Sequence, residues 1–227
     1  KNTLTVGSRF ALLNFDQLNR DNQERFKKDF FNLFPSVTYR YQPAPAQYAN
    51  IRYNGSTQQP SIMQLQPIRN NADPLNIEEG NNALRPSFTH SLGANYTYFS
   101  SVKRLSLSLS ADYFLTSNPI TTDLFTNDAG ITTSNYVNLK DKTNGFLTLR
   151  VNYGYPIKLI DAFYSLSGNY SNRYTYALTN NILNKRVTNI YGLDFFISKN
   201  KANKYEAYVG IKPTYTDSRS SLANQIN

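Results

Sequence analysis

The sequence predicts an all-β protein, an antiparallel meander of about nine long strands that forms part of a larger transmembrane β-barrel. Three observations carry this. Apolar and polar residues alternate strictly over stretches longer than most soluble strands. The connections between those stretches alternate between short and long, as periplasmic turns and extracellular loops do. No apolar run approaches the roughly 18 residues of a membrane helix, which leaves strands as the means of crossing.

The segments follow in order. At 2–13, Leu4, Val6, Phe10 and Leu12 oppose Thr5 and Arg9. At 35–43, Val37, Tyr39 and Tyr41 oppose Ser36, Thr38, Arg40 and Gln42, and at 47–57 Ile51 and Tyr53 oppose Arg52 and Asn54. At 87–99, Leu92, Ala94, Tyr96 and Tyr98 oppose Ser91, Gly93, Asn95 and Thr97. The cleanest alternation is 104–116: Leu105, Leu107, Leu109, Ala111, Tyr113 and Leu115 against Ser106, Ser108, Ser110, Asp112, Phe114 and Thr116. At 144–154, Leu147, Leu149, Val151 and Tyr153 oppose Thr148, Arg150 and Asn152. At 161–172, Tyr164, Leu166, Gly168 and Tyr170 oppose Ser165, Ser167, Asn169 and Ser171. At 187–198, Tyr191, Leu193, Phe195 and Ile197 oppose Gly192, Asp194 and an out-of-pattern Phe196. At 204–216, Tyr205, Ala207, Val209 and Ile211 oppose Glu206, Tyr208, Gly210 and Lys212.

Long connections are expected at 14–34, 58–86, 117–143 and 173–186, and short ones at 44–46, 100–103, 155–160 and 199–203. With the long ones outside the cell, the odd-numbered strands run outward. Tyr96, Tyr98, Tyr153, Tyr205 and Tyr215 fall near strand ends on the apolar face, where an amphipathic ring can straddle a membrane interface. An odd number of antiparallel strands does not close a simple barrel. The chain also opens directly on a strand, so both ends are expected to be cuts in a longer protein.

The apolar face yields the expected lipid contacts: Leu105, Leu107, Leu109, Leu147, Leu149, Val151, Leu166, Leu193 and Val209. The polar face yields the expected lumen residues: Arg9, Arg40, Arg52, Asp112, Arg150, Asp194, Glu206 and Lys212. Basic groups outnumber acidic ones there, which favours anionic contacts. The formal charge is +9. Its basic residues are scattered over turns and strands, without the basic helix or aromatic–basic motif that nucleic-acid binding requires, so no nucleic-acid partner is expected.

No enzyme chemistry, metal site or cofactor is expected. There is no Cys, and the single His, His90, sits in a strand without the companions a metal or catalytic site needs. Asp73, Glu78 and Glu79 lack Ca²⁺-loop spacing and read as a solvated loop. Residues 17–30 carry alternating charges with thin apolar content and read as a solvated loop in preference to a short helix. Lys103, Arg104, Lys158, Lys199 and Lys201 keep the short turns soluble.

The 58–88 segment carries the most specific pattern: Pro60, Leu65, Pro67, Pro74, Gly80, Asn81, Leu84 and Pro86, followed by the strand from Ser87 to Tyr98. The prolines keep the connection from extending either strand, and Gly80-Asn81 suits a turn of positive φ. With Asn118-Pro119-Ile120, Asn138 and Gly145, this resembles the TonB-dependent outer-membrane receptors, particularly the barrel family common in Bacteroidetes, from about Phe30 onward. Asn82 and Ser87 depart from that pattern, where many relatives carry Pro and Glu.

The resemblance implies a barrel of about 22 strands with a plugged lumen and an outer-membrane location. It further implies uptake of a bulky nutrient such as a metal chelate, cofactor or glycan. Implied partners are membrane lipid, a plug domain, the TonB system through the parent protein, and a surface lipoprotein. The alternatives are an outer-membrane scaffold or passive porin-like barrel without TonB coupling, and a soluble extracellular glycan-binding β-sandwich.

Overall fold

A computed structural model describes residues 1–18, 25–66, 69–202 and 204–222. Those residues form one 14-stranded sheet: β1 (Asn2–Leu18), β2 (Arg25–Ala44), β3 (Gln47–Gln58), β4 (Arg69–Asp73), β5 (Asn76–Glu79), β6 (Ser87–Ser100) and β7 (Leu105–Ser117), then β8 (Ile120–Thr126), β9 (Thr132–Asn138), β10 (Thr143–Ile157), β11 (Ala162–Thr179), β12 (Ile182–Lys201), β13 (Tyr205–Ile211) and β14 (Thr214–Ser220). One four-residue helix, α1 (Ile62–Leu65), lies between β3 and β4.

The nine expected strands are present as an antiparallel meander, β1-β2-β3-β6-β7-β10-β11-β12 followed by β13 and β14, which together form one broken strand along β12. The break falls at Lys212-Pro213, where Pro213 has no N–H to give the ladder; its carbonyl still accepts from Leu193 N–H at 3.1 Å. No second sheet faces this one among the described residues, which removes the β-sandwich alternative.

Two expected long loops are strand instead. β1 and β2 stay paired from Asn2↔Tyr41 to Leu18↔Arg25, so the first connection shrinks to residues 19–24, which lie outside the described residues. The residues at 25–30 are extended, neither helix nor solvated loop. Phe26, Lys28 and Phe30 point to one side of β2 and Lys27 and Asp29 to the other, a period of two hidden by charges on both faces. Pro35 ends only the β2–β3 ladder, which starts at Ser36↔Asn54, while pairing with β1 continues past it. Likewise β11 and β12 pair as far as Thr179↔Ile182. Their turn is Asn180-Asn181 with φ of 49° and 61°, the two positive values a tight type I′ hairpin needs.

The other two long connections fold onto these extensions. The β4–β5 hairpin turns at Pro74-Leu75, and the β8–β9 hairpin at residues 127–131. They join through two short parallel pairings, β5 with β9 and β8 with the end of β11. The meander is therefore antiparallel between successive wall strands, as expected, but the long connections add parallel contacts that the alternation pattern did not announce.

The buried cluster lies here, against the extended end of the β1–β2 hairpin. Phe30, Leu65 and Leu84 are buried together, flanked by Phe15, Phe26, Ile120 and Tyr136. A two-faced single sheet has no interior of its own. The protruding β1–β2 hairpin acquires one by covering its inner side with the loop.

Candidate functional site

Residues directly opposite one another in an antiparallel ladder share a face, so the register sorts every side chain. One row crosses the whole meander as Leu4, Tyr39, Ile51, Ala94, Ala111, Leu149, Tyr170, Tyr191 and Tyr215. The adjacent residues form the opposite face: Thr3, Arg40, Asn50, Asn95, Ser110, Arg150, Asn169, Gly192 and Thr214. Leu105, Leu107, Leu109, Leu147, Leu149, Val151, Leu166, Leu193 and Val209 all fall on the apolar face. Arg9, Arg40, Arg52, Asp112, Arg150, Asp194, Glu206 and Lys212 all fall on the polar one.

The apolar face forms a band of constant height. On β1 and β2 it runs from the Leu12–Phe31 pair to Tyr41, with Asn14 opposite Asp29 beyond it. At the far side it runs from Tyr191–Tyr215 to Tyr205, with Asn189 opposite Asp217 beyond it. Both edges descend by about eight residues over seven strand-to-strand steps. At about 3.3 Å per residue and 4.8 Å between strands, that is a strand tilt of about 38°. The intermediate strands obey the same line: on β7 the band ends at Leu115 and Leu105. Ten residues along a strand so tilted span about 26 Å of height, which matches the roughly 25 Å apolar band of a membrane-spanning barrel at its usual tilt of 35–45°.

Aromatic rings rim both edges. Tyr153, Tyr155 and Tyr164 lie with ring centroids about 6 Å apart at the turn side, and Tyr164 meets Phe195. At the loop side Tyr170 lies 5.0 Å from Tyr191, which lies 6.1 Å from Tyr215. His90 belongs to this rim, its Nδ1 3.0 Å from the Tyr53 hydroxyl and its ring edge-on to Phe88.

The polar face pairs some of its charges and leaves others facing open space. Arg52 reaches Asp112 at 2.8 Å across the intervening strand β6. Gly93 lies between them, and a Cβ there would fall 2.7 Å from Arg52 Nε and 2.9 Å from Asp112 Oδ1. Lys212 lies 3.5 Å from Asp194. Thr148, Arg150, Asn152, Asn169, Ser171 and Asp194 line an open cleft of about 410 Å³. Arg9 stacks its guanidinium over Phe34 at 4.7 Å.

Above the band, the loop residues converge on one hydrogen-bonded node. Ser61 caps α1, its hydroxyl accepting from Gln64 N–H while the Gln64 side chain accepts from Ser61 N–H. Leu65 and Leu84 are buried against Phe30, and Pro60 is also fully buried. Asn81 N–H donates to Gln64 C=O at 2.6 Å, and its amide donates to Tyr136 C=O at 2.8 Å. Asn138 accepts from Arg85 N–H at 2.8 Å and donates to Arg85 C=O at 2.9 Å and Asn118 C=O at 3.2 Å. Asn118 donates in turn to Pro86 C=O at 3.0 Å.

Lys28 donates to the carbonyls of Leu84 and Asn82, and burial followed by the nearby Arg85 charge lowers its pKa. Gly80 is not in a positive-φ turn. It is needed because a Cβ would lie 1.8 Å from Gln66 C=O, so its role is close backbone approach. Pro67 lies outside the described residues.

Asp73 closes the β4–β5 turn by accepting from Asn76 and Leu75, and these bonds hold its carboxyl below the usual range. Among the described residues no cluster of His, Asp, Glu or Cys is arranged for a metal. Sequence reasoning missed Lys28, Phe30 and Tyr136 in the node. The alternation of Phe26, Lys28 and Phe30 was the available signal for the first two. Tyr136 arrives by a non-local contact that has no local mark.

Residues 1–211 match the family described as the outer membrane protein beta-barrel family. No curated protein matches the chain.

Proposed function

Because the chain belongs to the outer membrane protein beta-barrel family, which places it in the outer membrane, we propose that it is a wall segment of a TonB-dependent receptor that imports a bulky nutrient. In this reading the apolar band meets lipid and the polar face lines the lumen. The side carrying the β2–β3, β6–β7, β10–β11 and β12–β13 turns is periplasmic. The segment performs no chemistry and binds no cofactor or metal. It holds a plug domain and presents capture loops.

The observation that carries the reading is the loop node. Leu65, Gly80, Asn81, Leu84, Asn118 and Asn138, which are among the residues that resemble the receptor family, belong to the node that ties the two long connections together. The polar cleft adds support: Arg150 is exposed there, so the wall offers a charged donor to a body filling the lumen. The proposed partners are therefore lipid, a plug, the TonB system and, at the outer surface, a lipoprotein. No nucleic-acid partner is proposed.

The test is conductance of the full-length protein in planar bilayers, alongside solute uptake in cells with and without TonB. A closed barrel whose uptake stops without TonB is expected. A steady large conductance, or uptake indifferent to TonB, would replace this reading with the passive porin-like one.

A further inference from the structure

Two lysines on the outward face, above the loop-side edge of the band, point at the same ring. Lys185 Nζ lies 5.6 Å from the centroid of Tyr174 and 5.8 Å from that of Tyr176, and Lys142 Nζ lies 5.8 Å from Tyr176. Cations held over aromatic faces are gathered, whereas lysines serving solubility extend into water. The rings are themselves positioned. Tyr174 lies over Gly145, where a Cβ would come 2.3 Å from its Cε1, and its hydroxyl is 3.4 Å from that of Tyr113. Tyr174 and Tyr176 meet edge to face at 6.5 Å.

Beneath them Asn172 donates to Asn189 at 2.7 Å, and Asn189 also accepts from the Tyr170 hydroxyl at 3.1 Å. Arg219 shares this face, paired with Asp217 at 3.1 Å. Asp141 precedes Lys142 in the chain.

The height selects the partner. On the edge line through Leu115 and the Tyr191–Tyr215 pair, Tyr176, the ring both lysines share, stands about four residues beyond the band on β11, which is about 11 Å at the tilt found above. A phospholipid headgroup layer is about 5–8 Å thick on each side. A group at about 11 Å lies beyond a phospholipid phosphate but within reach of a headgroup built of sugars and phosphates. Two ammonium groups suit the phosphate, and the tyrosine faces and asparagine amides suit the sugars.

We propose that Lys142, Lys185, Tyr174 and Tyr176 bind the phosphorylated saccharide headgroup of an outer-leaflet glycolipid. The proposal rests on the reading that the apolar band meets lipid.

The test uses the full-length protein in phosphatidylcholine nanodiscs containing bisphosphorylated lipid A, dephosphorylated lipid A or phosphatidylglycerol, with bound lipid counted by native mass spectrometry. Wild type is expected to bind bisphosphorylated lipid A selectively. Lys142→Gln with Lys185→Gln should weaken that binding about 30-fold, without changing the weak binding of the dephosphorylated form. Tyr176→Leu, which removes the ring that gathers both cations, should weaken it in the same direction.

Equal binding by wild type and the double variant overturns the proposal. So does equal affinity for phosphatidylglycerol, or full displacement by millimolar inorganic phosphate, which would mark a generic anion site. Failure of wild type to insert into any nanodisc would sink the lipid reading as well. Normal insertion with unchanged binding would sink this proposal alone.

Discussion

Replacing Asn138 by alanine should open the loop node while leaving the barrel wall intact. The side chain makes three hydrogen bonds, to both backbone groups of Arg85 and to Asn118 C=O, at 2.8, 2.9 and 3.2 Å. Each is worth about 0.5–1.5 kcal/mol net. The two at Arg85 are exposed enough for water to replace part of the loss, so about 2–3 kcal/mol of local stability is at stake. That corresponds to a rise of about 30- to 150-fold in the opening equilibrium of the segment containing Asn81, Leu84 and Arg85. Hydrogen exchange followed by mass spectrometry on the full-length protein in detergent reads this directly. Peptides covering residues 80–86 should exchange faster by that factor, and those from β7 and β10 should not change. A rise below about threefold, or a uniform rise across the wall strands, would refute the claim that the node is a separately stabilised unit.

Leu149→Arg should cost about 2–4 kcal/mol of barrel stability in lipid vesicles, and Thr148→Arg less than about 1 kcal/mol; similar costs in urea titrations would mean the faces are misassigned. Gly93→Leu should force Arg52 and Asp112 apart, so a double-mutant cycle between them, worth about 0.5–1 kcal/mol in wild type, should fall to zero; an unchanged coupling would show that Gly93 does not set their contact. Asp16 lies on the β1–β2 extension beyond the band, bonded to Arg25 Nε at 2.7 Å, and that bond lowers its pKa from 3.8 to about 2. A depressed carboxyl pKa stabilises the hairpin above the unfolded value, and the contribution is lost as pH falls through about 2. Carboxyl NMR should find Asp16 ionised at pH 3 in wild type and titrating at higher pH in Arg25→Gln; equal titrations would discount the pair.

The nine wall strands and their two faces were legible because a half-lipid, half-water environment forces a period of two that other interactions rarely override. Leu105 to Thr116 shows it without exception. The same rule failed where the environment changed. Above the band β2 has water on one side and the loop on the other, so Lys27 and Lys28 adjoin on opposite faces and the alternation disappears from a hydropathy reading. Asn180-Asn181 was a hairpin turn in plain sight, overlooked because the polar residues around it suggested a loop. The β-branched runs of β8 and β9 carried a strand signal as well, but their parallel partners are remote in sequence and leave no local trace. The node residues were visible as a spaced pattern. Their physical roles, such as the close approach at Gly80, needed coordinates.

The stitching of the long connections has a consequence in polymer terms. Between Gln58 and Ser87, and between Ser117 and Thr143, about 28 and 25 residues would otherwise behave as free chain, each ordered residue carrying about 1–2 kcal/mol of backbone entropy. Pairing β5 with β9 and β8 with β11, and pinning Asn81 to Tyr136, breaks that free length into short spans between fixed points. The ordering cost is thereby met when the chain folds; under the proposed capture role, an incoming molecule would lose little affinity to arranging these connections. The two connections also move as one body, so a force applied to either is borne by both.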